Sequence, residues 1–283
     1  MNAMRQKGRF KMRIDAHVHM TGNESDSSRL MERLEKAGFD GAIVFSPSPN
    51  GMLGKSCPNQ ERLYKLLRYT DGQENLYPFY FIDPTHEDAL AQAEAAKTAG
   101  VKGYKVICSH FYPSDERAME LYRWIAAQDM PLMFHSGILY DGINISGKYN
   151  RPCEFEPLLS IEGLQFSVAH LSWPWVDECI AVYGKFNAFL ERNPGGKAAK
   201  MYLDITPGTP PTFREDALTH LFGNGFKVED IVFWGSDNHA EDYDHAYAER
   251  IRKRDYEIFE KLGLPQEQQE KIFRDNVREF LRL

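Results

Sequence analysis

Short runs rich in Val, Ile, Phe and Tyr alternate along the chain with longer stretches whose apolar residues recur at helical spacing. A brief continuous apolar run suits a strand buried on both faces, and its alternation with amphipathic helices is the pattern of β-α units around a parallel sheet. Eight strands are predicted: 13–18, 41–45, 76–82, 101–107, 131–134, 165–169, 200–204 and 230–234. They start about 25–35 residues apart, which leaves room for one helix in each interval. A helix over Ser27–Ala37 presents Leu30, Met31 and Leu34, and Gly38 stops it. Another opens at Pro84-Thr85 and runs to Thr98 before Gly100. A third spans Ser114–Gln128 with Ser114 as its N-cap. The last 40 residues are helical, interrupted at Gly263-Leu264-Pro265 and resuming at Gln266.

Eight such units predict a single α/β domain over residues 1–283, a distorted (β/α)8 TIM barrel with its active groups at the C-terminal ends of the strands. Residues 1–12 read as a flexible tail. An open doubly wound sheet would ordinarily show a glycine-rich phosphate turn, and neither GxGxxG nor GxxxxGK[ST] occurs. Composition changes this picture little. Hydrophobic residues at 42% and charged residues at 27% are those of a globular protein. A net charge of -7 argues against a nucleic-acid binder, and the basic cluster Arg250–Arg254 reads as a solvated helix face. The four cysteines, Cys57, Cys108, Cys153 and Cys179, contain no CxxC pair and suit a reducing compartment. With neither a signal peptide nor a membrane-length apolar run, the expectation is a cytoplasmic protein acting on a small molecule, without nucleic acid or membrane; a homodimer is compatible with the sequence.

The chemistry is concentrated at strand ends. Asp15-Ala16-His17-Val18-His19 closes the first strand, and alternate strand residues share a face, so His17 and His19 can converge on one centre. Imidazole is a common ligand of zinc and similar ions. A lone HxH proves little, but His135, His170 and Asp237 each follow an apolar run where barrel active sites are built.

These pieces resemble the amidohydrolase superfamily, and in particular its branch of amidohydrolase-related hydrolases and decarboxylases. The matching segments are Ile14–His19, Phe134-His135, Ala169-His170-Leu171, Tyr202-Leu203-Asp204, Gly235-Ser236-Asp237 and the closing Lys271–Phe280, in order over almost the whole chain. The resemblance implies one divalent metal ion, Zn2+ or alternatively Mn2+, held by His17, His19, His135 and Asp237. It implies His170 as a proton shuttle beside the metal, and Asp237 as both ligand and proton acceptor. A carboxylated Lys105 bridging two ions, as in other branches, is the less favoured arrangement. Lys105, Arg151, Trp173 and His239 are read as substrate-binding, and Tyr140, Asp141 and Asn144 lie in the same long stretch as Arg151. Arginine suits a substrate carboxylate through bidentate hydrogen bonds.

The expected reaction is hydrolysis of a small ester, lactone or amide by metal-activated water. The alternative is non-oxidative decarboxylation of an aromatic or unsaturated acid. Two departures from the family pattern, Asn238-His239 after the last-strand Asp and Trp173-Pro174-Trp175 after His170, fall where substrate is held.

Overall fold

A computed structural model describes residues 12–23, 26–49, 58–143 and 145–283. The expected tail (all but Met12), Cys57 and Asn144 lie outside the described residues. Strands β1 (Ile14–His19), β2 (Gly41–Phe45), β3 (Leu76–Phe81), β4 (Gly103–Val106), β5 (Leu132–Phe134), β6 (Gln165–Val168) and β7 (Lys200–Asp204) pair in sequence order, all parallel. Every residue of β1 to β5 is buried, which is why their sequences run apolar without alternation.

The eighth position departs from the predicted single strand at 230–234. It is split into β8 (Val232–Phe233), which pairs with β7, and β9 (Asn238–His239), which pairs with β1. Residues 234–237 bridge the two halves and bond to β1 as well: Ala16 N donates to Trp234 O at 3.2 Å and Asp237 N to His17 O at 3.0 Å. These contacts close the sheet into a distorted barrel. Gly235 makes the close approach feasible, because a Cβ there would stand 2.4 Å from His17 Cβ and 2.5 Å from Thr206 Oγ1. Gly235→Ala should therefore cost about 1–3 kcal/mol through overpacking; urea melts of the variant would show no change if the turn can yield.

Helices α1 (Ser27–Ala37), α2 (Asn59–Thr70), α3 (Ala89–Thr98), α4 (Glu116–Ala127), α5 (Val176–Arg192), α6 (Pro211–Gly223) and α7 (His245–Lys261) surround the strands. α1 has its predicted bounds, and Gly38 ends it at φ 84°. Two starts differ from expectation. Asp115, not Ser114, caps α4, accepting from Arg117 N at 3.0 Å. α3 begins at Ala89 because Asp83 Oδ1 takes Thr85 N (2.9 Å) and Thr85 Oγ1 (2.7 Å), holding the preceding residues in a turn. The β5–β6 interval carries a 3-10 helix, Pro152–Ser160, in place of the expected α-helix. Pro157 within it has no N–H to give an α-helical ladder.

The chain ends in α8 (Gln266–Glu270), a π turn (Lys271–Asp275) and α9 (Asn276–Phe280). Phe280 packs on Tyr202 and Phe233 with ring centroids 5.1 and 5.2 Å away. Glu279 pairs with Lys200, the first residue of β7. α9 thus covers the barrel end opposite the strand C-termini. On the flank, a fully buried Arg214–Asp255 pair joins α6 to α7: Arg214 Nε and Nη2 donate to the two carboxylate oxygens at 3.0 and 2.7 Å, and Trp234 Nε1 donates to the same carboxylate at 3.0 Å. No helix among the described residues is long and apolar enough to cross a membrane. Cys108, Cys153 and Cys179 are free thiols.

Candidate active site

At the C-terminal ends of the strands lies a cavity of about 170 Å3. β1 contributes His17 and His19, β4 Lys105, and the first residues after β5 and β6 contribute His135 and His170. The turn between β8 and β9 contributes Asp237, at φ 60°.

His17 is the centre of this group and is fully buried. Its Nδ1 lies 2.7 Å from Asp204 Oδ2. The carboxylate can only accept, so the proton resides on Nδ1 and the Nε2 lone pair is aimed into the site. Burial, then the charge of Lys105, holds the His17 imidazole well below its ordinary pKa, so it stays neutral. His19 is held low as well, chiefly by burial and against the opposing effect of Asp237. Asp204 itself is pushed up to about 6 by burial, an effect moderated by the Thr206 hydrogen bonds and by His170.

Three potential donor atoms then face one another. His17 Nε2 and His19 Nε2 are 3.1 Å apart, and Asp237 Oδ1 lies 3.6 Å from the first and 3.4 Å from the second. Ligands at zinc-like distances and tetrahedral angles stand about 3.3 Å apart. The triangle therefore has the size a small divalent ion requires. With both Nε2 atoms unprotonated the rings repel at this distance, and a cation between them relieves that. His135 adds a further fit: its Nε2 is buried without a hydrogen-bond partner, and burial keeps its ring neutral. A ring nitrogen of His170 also falls within 4.8 Å of ligand atoms of His17 and Asp237. The residues present suit a divalent cation.

His170 is oriented by its other contacts. Its Nδ1 donates to Pro207 O at 2.9 Å, which leaves Nε2 for the site. The backbone there is unusual, since His170, Leu171 and Ser172 all have positive φ (60°, 46° and 55°). Gly208 lies so near that a Cβ would sit 2.7 Å from His170 Cβ. Three successive non-glycine residues in the left-handed region hold strain of a kind found at functional sites. Desolvation raises Asp237, but the adjoining His19, His170 and His17 rings outweigh this and hold the carboxyl well below the usual range. It is ionised at neutral pH.

Lys105 is almost wholly buried, its Nζ 3.4 Å from His17 Nε2 and 4.8 Å from the centre of the Phe45 ring. Burial lowers its pKa to about 8, partly opposed by Asp204 and Asp237. It faces the cavity, as do Trp173, Tyr140, Asp141 and His239. Arg151 does not. Its Nε donates to Glu178 Oε2 at 2.8 Å and its guanidinium lies over Trp175, outside the cavity lining. The substrate contact expected of Arg151 is corrected to a surface ion pair.

Several contributors were not assigned roles from sequence. Asp204 was legible as part of a motif, but its contact with His17 spans 187 residues. Asp15 is fully buried and accepts from His17 N (3.2 Å), Ser236 N (2.8 Å) and Tyr243 OH (2.7 Å). Burial raises it to about 6 against those hydrogen bonds. Its place in β1, two residues before His17, was the available signal. Glu241, which receives Thr21 N and Gly22 N at 2.9 and 3.0 Å, carried none.

A closed parallel barrel with histidines and an aspartate gathered at its strand ends is a scaffold of TIM-barrel enzymes. A model of the amidohydrolase family matches residues 14–283, and the chain belongs to that family. Its members are in general metal-dependent enzymes. Among solved structures, an uncharacterized TIM-barrel protein from Bordetella bronchiseptica is similar over 96% of this chain and 98% of its own, with 17% identity and a TM-score of 0.67. An amidohydrolase from Burkholderia multivorans with bound HEPES aligns over 96% and 99%, with 10% identity and a TM-score of 0.67. A 4-oxalomesaconate hydratase from Rhodopseudomonas palustris aligns over 96% of each chain, with 13% identity and a TM-score of 0.61. At these identities the likeness is one of fold. No curated protein matches the sequence.

Proposed function

We propose that this protein is a metal-dependent hydrolase in which His17, His19, His135 and Asp237 hold one divalent ion, Zn2+ by the nitrogen-rich donor set, and a small ester, lactone or amide is the substrate. The observation that carries the reading is the triangle of His17 Nε2, His19 Nε2 and Asp237 Oδ1, with edges of 3.1, 3.4 and 3.6 Å. When bound, such an ion acidifies water and polarises a carbonyl. Asp237, kept ionised, accepts the proton of the attacking water. His170, its Nδ1 committed to Pro207, offers Nε2 to carry that proton towards the leaving group. Lys105 at the cavity floor donates to a substrate oxygen, and Trp173 with Ile138 and Leu139 forms an apolar wall that limits water.

Elemental analysis tests this first. About one equivalent of metal per chain is expected, lost when His17 and His19 are both replaced by Ala. Added Zn2+ should also raise the melting temperature of the wild type and leave that of the double variant unmoved. A wild type that takes up no Zn2+ or Mn2+ would remove the basis of the proposal. Hydrolysis is then separated from decarboxylation by whether turnover releases carbon dioxide. The second reaction has support in the family resemblance, and the same residues would serve it, with proton transfer to the carbon that loses CO2.

A further inference from the structure

We infer that Tyr243 is a positioning residue for the metal centre, acting through Asp15 on the two backbone segments that carry His17 and Asp237; the inference rests on the metal site proposed above. Among the described residues, Asp15 makes no hydrogen bond to the side chain of His17, His19, His135 or Asp237. It holds backbone instead: one oxygen, Oδ1, accepts both His17 N from β1 and Ser236 N from the β8–β9 turn. These amides belong to a ligand and to the residue just before another ligand. A single atom therefore ties strand to turn beside the direct Asp237 N–His17 O bond, at the point where the ligand triangle is formed.

That atom is only as well placed as its carboxylate, and the carboxylate is oriented from the far side. Oδ2 accepts Tyr243 OH at 2.7 Å, and Tyr243 is itself 1% exposed. Its short loop is anchored at both ends. Asn238 Oδ1 accepts Asp244 N at 2.9 Å, and Glu241 in between takes the amides of Thr21 and Gly22 beyond β1. Tyr69 OH additionally donates to Ala240 O at 3.1 Å. The hydroxyl of Tyr243 thus approaches Asp15 from a rigid support. Removing it leaves Oδ2 of a fully buried carboxylate without that donor, so the group turns and the shared Oδ1 contact shifts with it.

The test is Tyr243→Phe, with Zn2+ affinity measured by competition against a chromophoric chelator and the melting temperature of the metal-free protein recorded alongside. Supporting partners of metal ligands are commonly worth 10–100-fold in affinity. Because Tyr243 acts on backbone, about a tenfold weakening is expected. Tyr104→Phe is the control: Tyr104 OH also makes one buried hydrogen bond, 2.7 Å to Ala93 O, away from the site. It should lose comparable stability and no affinity. Should Tyr243→Phe not fold, Asp15→Asn substitutes for it, since the amide keeps an acceptor for the two N–H groups but loses the charged acceptor for the hydroxyl; the same weakening is expected. Zn2+ affinity within twofold of wild type in the folded variant, or an equal loss in Tyr104→Phe, overturns the inference. Absence of Zn2+ binding by the wild type instead overturns the proposed metal centre, so the two failures are distinct.

Discussion

Asp237→Asn is expected to lower turnover by about 10²–10⁴-fold, the range that a positioned acid–base group supplies, while leaving the thermal transition of the metal-free protein nearly unchanged. The reason lies in how this side chain is held. Its carboxylate lies 3.4 Å from His19 Nε2 and 3.6 Å from His17 Nε2, and its surroundings keep it ionised. An amide of the same shape preserves the backbone turn at φ 60°, a conformation Asn also tolerates. What is lost is the anionic acceptor: the amide cannot take a proton from water, and it is a poorer partner for a cation. With an active substrate in hand, steady-state rates of the two proteins decide the matter. Activity within a few-fold of wild type would show that proton acceptance resides elsewhere.

The second large effect concerns stability. Asp255→Ala should destabilise the protein by about 3–5 kcal/mol, because it strands the Arg214 guanidinium in the interior without a counter-charge. For a domain of this size the melting temperature falls by roughly 2–4 °C per kcal/mol, hence roughly 6–20 °C. The loss exceeds that of an ordinary surface pair because the same carboxylate also receives Trp234 Nε1 and the Arg254 side chain. The isolated pair need not be worth that much in itself: the double variant Arg214→Met/Asp255→Leu should recover much of the loss, since burying two charges is itself costly. Calorimetry on the single and double variants separates the two cases. A single variant as stable as wild type would mean that water reaches Arg214 readily.

The barrel was legible because fully buried parallel strands leave continuous apolar runs, and in this chain they are well separated by helical spacing. The same signal fails where the strand is broken. Asp230–Trp234 reads as one strand, but the pairing passes to Asn238–His239 after a turn that Gly235 permits. His17 and His19 could be nominated from sequence because they share one strand face, and His135, His170 and Asp237 because each follows an apolar run; the structure gathers all five at one end of the barrel. What orients them could not be nominated so easily. Tyr243 and Asp204 act on β1 from 228 and 187 residues away in the chain, and Pro207 acts through a carbonyl that every residue possesses. Arg151 shows the limit of reading chemistry alone: it suits a substrate carboxylate, but in the structure it pairs with Glu178 outside the cavity lining.

The split eighth strand also bears on how the protein is made. β8 holds β7, β9 holds β1, and Asp237 lies between them, so among the described residues the sheet closes through residues 232–239. A ribosome delivers β1 early, with His17 and His19 in place but without the segment that pairs with its open edge. Until about 220 further residues have emerged, that edge is a pairing surface in search of a partner, and nascent chains with unpaired strand edges are prone to misassociation. Chaperone dependence would follow from the order in which the pieces leave the exit tunnel.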